Sequence, residues 1–206
     1  MKKYFILFIL FFIISVPVAA FAEQALVPQS GQTVCYDAAG VEIPCTGTGQ
    51  DADQQMGIAW PNPRFTDNSN GTITDNLTGL IWLKNAGCFN NGYPVNPWSS
   101  ALSAANALAN GTCGLSDGSV AGDWRLPNKK ELESLINRQQ VNPASWLNTV
   151  GFSNVNTGSW GYPYDSYWTS STIGGSAWSV YLLTGTLSYY DKGSYPLMVW
   201  PVRGGQ

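Results

Sequence analysis

Apolar and polar residues alternate in short segments along most of the chain, which is typical of a domain rich in β-strands. Between residues 64 and 84 the pattern predicts three strands, at 64–67, 72–75 and 80–84, and the Asn70-Gly71 pair supplies the left-handed residues of the first hairpin turn. Four more strands are predicted near the C terminus, at 167–172, 177–182, 186–190 and 197–203. Because the connections are short, we expect antiparallel pairing.

Two segments have helical periodicity instead. The first begins with Asn96 as cap and Pro97 as first helical residue, and ends at Asn110-Gly111. Its apolar positions recur at helical spacing and predict a buried face: Trp98, Ala101, Leu102, Ala105, Leu108 and Ala109. The second runs from about residue 129 to 138. Asn128 and Glu131 have the spacing of a capping box, and Leu132, Leu135 and Ile136 fall on one face.

Two polar stretches are predicted to be irregular. Residues 47–55 are rich in Gly and polar side chains and indicate an exposed linker. Residues 142–165 form a long loop with intermittent aromatic anchors, and loops of that length in a compact domain are usually functional or disordered. Between the helices, the Asp123-Trp124-Arg125 turn is assigned to folding, with Trp124 in the core and Arg125 bound to a carbonyl or carboxylate.

The first 22 residues have the pattern of a signal peptide. Lys2 and Lys3 precede an apolar run, and Ala20-Phe21-Ala22 has the form of a cleavage site. A retained membrane anchor is the less favoured alternative, because the run is short and Pro17 interrupts it. We therefore divide the chain into a signal peptide (1–22), an N-terminal arm with a hairpin and linker (23–59) and one domain (60–206).

Cleavage changes the charge of the chain. Removal of Lys2 and Lys3 leaves 8 basic and 13 acidic residues, a formal net charge of −5. Such a chain is a poor candidate for binding nucleic acid or an anionic membrane. Few of its residues are charged, whereas Trp, Tyr and Gly are abundant, as expected of a loop-rich exported protein.

Four cysteines in an exported chain indicate two disulfides. Three connectivities are compatible with the sequence, and pairing in sequence order, Cys35 with Cys45 and Cys88 with Cys113, is the local choice. Zinc is disfavoured, because the chain has no histidine and no Cys-x-x-Cys motif. Asp67 to Asp75 partly resembles a calcium loop, but its glycine stands at the fifth position instead of the sixth, so we favour the hairpin. No metal or other cofactor is expected.

Several stretches together resemble the bacterial Lcl C-terminal-domain family, named for a collagen-like adhesin. They are residues 64–82, residues 123–128 with Glu131-Leu132, residues 167–172, Ala177-Trp178 and residues 199–205. The resemblance implies an α+β, C-type-lectin-like fold: a small twisted antiparallel sheet flanked by two helices, with long loops, adjacent N- and C-terminal strands and here an N-terminal hairpin arm. It also implies an exported adhesin, and some members of the family form trimers.

The predicted function is that of an exported, non-catalytic binding module for a carbohydrate or a surface partner. Residues 156–200 contain four Trp, seven Tyr and eight Ser, and rings among small polar residues make a good recognition surface. We expect Trp168, Trp178 and Trp200 in the core. The candidate ligand contacts are Trp160, Tyr164, Tyr189, Tyr190 and Tyr195. The family's sulfated glycosaminoglycan ligands require clustered Arg and Lys, and the basic residues here are scattered.

Two alternatives come from other classes. The first is a structural subunit of a surface assembly, for which an oligomer such as a trimer is expected. The second, less favoured, is an enzyme that uses a pair of carboxylates, drawn from Asp123, Glu131, Glu133, Asp165 and Asp191. Residues 125–128 resemble a helix start of the formylglycine-generating enzymes, whose chemistry needs a reactive cysteine pair. The four cysteines here are predicted to be structural, and without histidine no Ser-His-Asp triad exists.

Overall fold

The computed structural model describes residues 27–89 and 97–204. The predicted signal peptide and the predicted cap at Asn96 lie outside them. The fold is α+β, as predicted. Within those ranges the elements in chain order are β1 (Cys35–Tyr36), β2 (Glu42–Ile43), α1 (Asp51–Gln54), β3 (Phe65–Asp67), β4 (Thr72–Asp75), β5 (Leu80–Leu83), α2 (Trp98–Ala107), α3 (Lys129–Glu133), α4 (Pro143–Thr149), β6 (Tyr167–Ile173), β7 (Ser176–Tyr181), β8 (Thr186–Asp191) and β9 (Val202–Gly204).

The predicted single sheet is wrong, because the strands of the domain form two. The first has the order β3-β4-β5-β9, and the second has the order β6-β7-β8. All neighbours within them are antiparallel, as expected. The C-terminal strand β9 pairs with β5, and the N-terminal strand β3 lies at the opposite edge of this sheet, so the predicted adjacency of the first and last strands is wrong. It is shorter than predicted, since residues 197–201 bridge the two sheets instead of extending the strand.

The first hairpin forms where it was predicted, but its turn differs in detail. The residues with positive φ are Ser69 and Gly71, and Asn70 is not among them. A Cβ at Gly71 would collide with the carbonyl of Gly114, so this position requires glycine for its conformation and for the close approach of a second loop.

The helices are shorter and more numerous than predicted. Helix α2 ends at Ala107 instead of near Asn110, and α3 ends at Glu133 instead of Arg138. The capping box of α3 is formed as predicted, with both hydrogen bonds between Asn128 and Glu131 present. Two short helices occur in stretches predicted to be irregular, α1 in the linker and α4 in the long loop. Asn142 caps α4 by accepting a hydrogen bond from the Ser145 N–H.

Two apolar clusters make up the core. The larger lies between the first sheet, α3 and α4, and includes Trp82, Trp124 and Trp200. The smaller contains Trp168 and packs Ala101 and Ala105 of α2 against β6 and β7. Trp124, Trp168 and Trp200 are fully buried, as predicted. Trp178 was placed in the core incorrectly, since it is only half-buried.

Both disulfides pair in sequence order, Cys35 with Cys45 and Cys88 with Cys113, which confirms the local choice. The arm packs against the rest of the chain: Arg138 N–H donates to the Ser30 carbonyl, and Gln139 accepts from the N–H groups of Thr33 and Val34. No helix in the described ranges combines the length and the apolar character that crossing a membrane requires.

Two ion pairs with bidentate Arg–carboxylate contacts connect separate parts of the domain. Arg64 is buried and binds both carboxylate oxygens of Asp75, at 2.8 and 3.0 Å, beneath the ring of Trp60. Arg125 binds both oxygens of Glu131 at 2.7 Å, so the assignment of this turn to folding is supported by an Arg–carboxylate contact. The second pair links the Asp123-Trp124-Arg125 turn to the start of α3.

Candidate functional site

The candidate site is a surface on one face of the second sheet, built from Tyr162, Tyr181, Tyr190 and Tyr195, hereafter the tyrosine surface. Side chains alternate between the two faces of a strand. The register of β7 and β8 pairs Tyr181 with Thr186 and Ala177 with Tyr190, so Tyr181 and Tyr190 project from the same face. The loop before β6 and the segment after β8 supply the other two rings.

Tyr162 lies over this face of the sheet. Its ring centroid is 5.2 Å from that of Tyr181 and 6.2 Å from that of Tyr190, with edge-to-face geometry in both pairs. Tyr195 packs against Tyr190 at 4.9 Å. Tyr162 is 54% exposed, whereas the other three rings are half-buried. The result is a layer of supported rings with one of them open to solvent.

Hydroxyl groups border these rings. The Tyr162 hydroxyl lies 2.8 Å from the Ser188 hydroxyl on β8. This hydrogen bond, together with the neighbouring Tyr190 hydroxyl, holds the pKa of Tyr162 below its ordinary value. Burial raises the pKa of Tyr190, and the Tyr162 hydroxyl adds to the rise. Within the described ranges the Tyr190 hydroxyl has no hydrogen bond of good geometry. The surface therefore combines apolar rings with hydroxyls that donate or accept.

A buried carboxylate holds the loop that carries Tyr162. Asp165 is fully buried and accepts hydrogen bonds from the Gly161 N–H at 2.5 Å, the Trp160 N–H at 3.0 Å and the Asn156 side-chain amide at 2.7 Å. The side-chain oxygen Oδ1 of Asn156 in turn accepts from the N–H groups of Gly158 and Ser159. The last part of the predicted long loop is therefore a closed turn around one carboxylate.

The charge of Asp165 also affects Tyr167, the first residue of β6. The Tyr167 hydroxyl accepts a hydrogen bond from the Asn156 N–H at 2.9 Å. Burial raises the pKa of Tyr167, and the negative charge of Asp165 raises it further. Tyr167 thus stays a neutral phenol whose hydroxyl connects the loop to β6.

The structure brings together only some of the predicted contact residues. Tyr190 and Tyr195 belong to the tyrosine surface. Trp160 and Tyr164 lie on the same loop as Tyr162 and are 43% and 42% exposed. Tyr189 is 56% exposed but projects from the opposite face of β8, where its ring lies 5.4 Å from that of Trp178.

Tyr162 and Tyr181 were missed by the sequence analysis. For Tyr181 a signal was available, because strand alternation places it on the same face as Ala177 and Ser179. For Tyr162 there was none, since only the folded loop brings it to the sheet.

The opposite face has a smaller group of side chains. The Lys129 ammonium lies 4.0 Å from the centre of the Trp178 ring, and the Tyr189 ring, paired with Trp178 across the two strands, packs against it on the same face. This explains why Trp178 is half-buried: it covers the start of α3 instead of entering the core.

The five carboxylates considered for catalysis all have local partners. Asp123 accepts from the Val120 N–H, Glu131 binds Arg125, and Glu133 lies 3.4 Å from Lys130. Asp165 holds the loop, and Asp191 accepts from the N–H groups of Gly193 and Ser194. In residues 27–89 and 97–204 no three His, Cys, Asp or Glu side chains are grouped so that they could hold a metal ion.

Elsewhere, the part of the chain that the structure describes forms at least two concavities. One, of about 560 Å³, separates the arm residues 27–30 from α3 and the residues that follow it. The other, of about 520 Å³, is polar and lies beside the Asp67–Lys84 ion pair. Neither contains one of the five predicted ligand contacts, but Glu131 and Glu133, two of the carboxylates considered for catalysis, line the first.

The chain matches the model of a known family. The model of the Lcl C-terminal domain matches residues 71–203, which include the second sheet, β4 and β5 of the first sheet, α2 to α4 and all four rings of the tyrosine surface. No curated protein matches the chain.

Proposed function

Since the chain belongs to the Lcl C-terminal domain family, we propose that it is an exported, adhesin-like binding module and that a neutral carbohydrate binds to the tyrosine surface. The family also favours a C-type-lectin-like fold for this arrangement of sheets and helices. The observation that carries the proposal is Tyr162, an exposed ring supported by Tyr181 and Tyr190 on a loop that a buried carboxylate holds in place.

The chemistry of the surface supports a sugar as ligand. A pyranose ring has an apolar face of C–H groups, which packs on aromatic rings, and an edge of hydroxyls, which needs donors and acceptors. The tyrosine surface offers rings together with the hydroxyls of Tyr162 and Ser188. Rigid rings also lose little conformational entropy on binding.

Charge supports a neutral sugar over a sulfated one. No basic side chain is among the residues that form the tyrosine surface, and after signal cleavage the chain has a net charge of −5. A polyanion would therefore be repelled overall, and the tyrosine surface offers it no Arg or Lys side chain to pair with.

Two further parts of the proposal are export and the absence of catalysis. Two disulfides fit a protein that folds in an oxidising compartment. The carboxylates that an enzyme would need are each engaged in a turn, a helix cap or an ion pair. A turnover of any glycan or ester that depends on one of these carboxylates would contradict the non-catalytic role.

The test is a glycan-array screen of residues 23–206, followed by affinity measurements on the glycans that bind. We expect Tyr162→Ala to weaken binding about tenfold or more, as the loss of an aromatic hot spot does. Tyr162→Phe keeps the ring and separates its contribution from that of the hydroxyl. Tyr36→Ala is the matched control, because Tyr36 is also exposed but lies on the arm hairpin.

Two results would contradict the proposal. One is a glycan that binds Tyr162→Ala and wild type equally well, which would place its site elsewhere. The other is the absence of any glycan bound by a correctly folded protein, which would favour a protein partner on this surface.

A further inference from the structure

The two outer strands of the second sheet differ in whether their outer edge is covered by other parts of the chain. The outer strand β6 is covered: the Trp168 N–H donates to the Met198 carbonyl, and the Ser170 N–H donates to the Pro127 carbonyl. The other outer strand, β8, pairs with β7 along one side. On its other side no backbone group of residues 187–191 bonds to another residue of the described ranges.

The register shows which backbone groups point away from β7. The Lys192 N–H donates to the Gly175 carbonyl, so the pair 192–175 is a hydrogen-bonded pair of the antiparallel ladder. Every second residue of β8 then faces β7, and the alternate ones face outward. The outward N–H and C=O groups are those of Leu187, Tyr189 and Asp191.

This edge has few of the features that usually prevent a strand from pairing with another chain, and its single charged residue, Asp191, lies at the end of the strand. Residues 186–191 include no proline, lysine or arginine, and the register between β7 and β8 is uninterrupted. By contrast, the register between β6 and β7 shifts between Trp168 and Thr172. The side chain at the centre of β8, Tyr189, is 56% exposed.

We propose that β8 is an interface at which a second copy of this chain adds its own β8, antiparallel, to form one six-stranded sheet across the two molecules. A twofold axis perpendicular to the sheet reverses the strand and keeps its faces. With Tyr189 on that axis, Tyr189 pairs with itself, Leu187 pairs with Asp191, and all three outward residues exchange N–H···O=C bonds.

The side chains are compatible with this self-pairing. The two Tyr189 rings meet on one face, as a cross-strand aromatic pair. The two Asp191 carboxylates lie at opposite ends of the paired strands, separated by four residues or about 14 Å. This distance exceeds the electrostatic screening length of about 8–10 Å at physiological salt. The strand is therefore complementary to itself in ring placement and free of like-charge contact.

The tyrosine surface lies on the other face of β8, and this inference does not depend on the proposed carbohydrate ligand. A two-strand contact falls in the class of small interfaces, below about 1,200 Å², so we expect weak association.

The test is sedimentation equilibrium of residues 23–206 from about 1 µM to about 1 mM, a range suited to a small interface. We expect the mass to rise from monomer to dimer with concentration. Tyr189→Lys puts a charge at the centre of the interface and should weaken association at least tenfold. Tyr189→Pro, which removes an outward N–H and leaves the β7 ladder intact, should do the same. Ile173→Lys is the matched control: Ile173 is 51% exposed in the same sheet, but on the covered strand.

Amide hydrogen exchange gives a second readout. We expect the amides of Leu187 and Tyr189 to exchange fast in dilute protein and slowly in concentrated protein. The amides of Ser188 and Tyr190 face β7 and should exchange slowly at every concentration. The proposal is overturned by a monomer at all concentrations, by a trimer, or by a dimer that Tyr189→Lys leaves intact. Protection of Leu187 and Tyr189 in dilute protein would also overturn it.

Discussion

Replacement of Asp165 by asparagine should release the loop that carries Tyr162 and leave the rest of the fold in place. The wild-type carboxylate is fully buried, and each of its oxygens accepts hydrogen bonds: one from Asn156 and Trp160, the other from Gly161. In Asp165→Asn one oxygen becomes an NH2 group. In either orientation of the new amide, its NH2 group faces another donor, either the Gly161 N–H or the Asn156 amide and the Trp160 N–H.

The size of the effect follows from these contacts. A hydrogen bond to a charged group contributes about 1.5–3 kcal/mol, and a buried donor left without an acceptor costs more. We expect Asp165→Asn to lower the free energy of unfolding by about 2–4 kcal/mol. For a chain of this length that corresponds to a melting temperature lower by roughly 4–16 °C.

Two measurements check this prediction. Urea unfolding gives the change in free energy, and amide hydrogen exchange reports on the loop, because the N–H groups of Trp160 and Gly161 are protected only while Asp165 accepts from them. Asp191→Asn is the matched control, since Asp191 also accepts from turn amides but is exposed, and its loss should matter far less. An Asp165→Asn variant that unfolds like wild type, with both amides still protected, would refute the reasoning.

Two further predictions concern the ion pairs. Asp75→Asn leaves the Arg64 guanidinium buried without its counter-charge and should cost about 3–5 kcal/mol in urea unfolding. Asp67→Asn, which removes the exposed pair with Lys84, should cost less than about 1 kcal/mol, and equal costs would contradict the argument. The other prediction concerns Glu131. Burial raises the pKa of its carboxyl, but hydrogen bonds from Arg125 and the Asn128 N–H outweigh burial and lower the pKa overall. The ionised Glu131 carboxylate therefore stabilises the fold above the ordinary glutamate pKa of about 4.3. This stabilisation is lost as the pH falls through the lower pKa that Glu131 has in the folded protein. The stability difference between wild type and Glu131→Gln should be constant near neutral pH and shrink in acid; a difference that grows in acid would contradict it.

Local signals in the sequence predicted the local structure well. The capping box at Asn128 and Glu131 depends on residues three apart, and both of its hydrogen bonds form. The start of α4 has the same kind of signal, Asn142 followed by Pro143, but a helix of seven residues spans only about two turns and shows little helical periodicity.

Long-range pairing was less predictable. The separation of the strands into two sheets depends on β9 pairing with β5, more than a hundred residues earlier in the chain. Strand patterns show which residues alternate, but not which strand lies beside which. The same limit explains Trp178: its alternation is that of a half-buried strand, and the covering element, Lys129 of α3, becomes visible only in the folded molecule.

The candidate site was predicted in part. The aromatic content of residues 156–200 pointed to the correct region, but Tyr189 and Tyr190 were treated as one contact group although neighbours in a strand face opposite ways. Tyr162 reaches the sheet only because Asp165 folds the loop back, and that contact joins backbone amides to a side chain. Such a contact leaves no pattern in the sequence.

The way in which Asp165 holds its loop has a consequence for how this protein can change. Two of the groups that Asp165 binds are main-chain amides, those of Trp160 and Gly161. Gly161 has a φ of +82°, which favours glycine, but almost any amino acid except proline at position 160 would present the same amide. The geometry of the loop is thus largely separate from the identity of its exposed side chains. Selection, or a designer working with a library, could exchange Trp160, Tyr162 and Tyr164 for other residues and redirect recognition to a new target while the scaffold beneath stays the same.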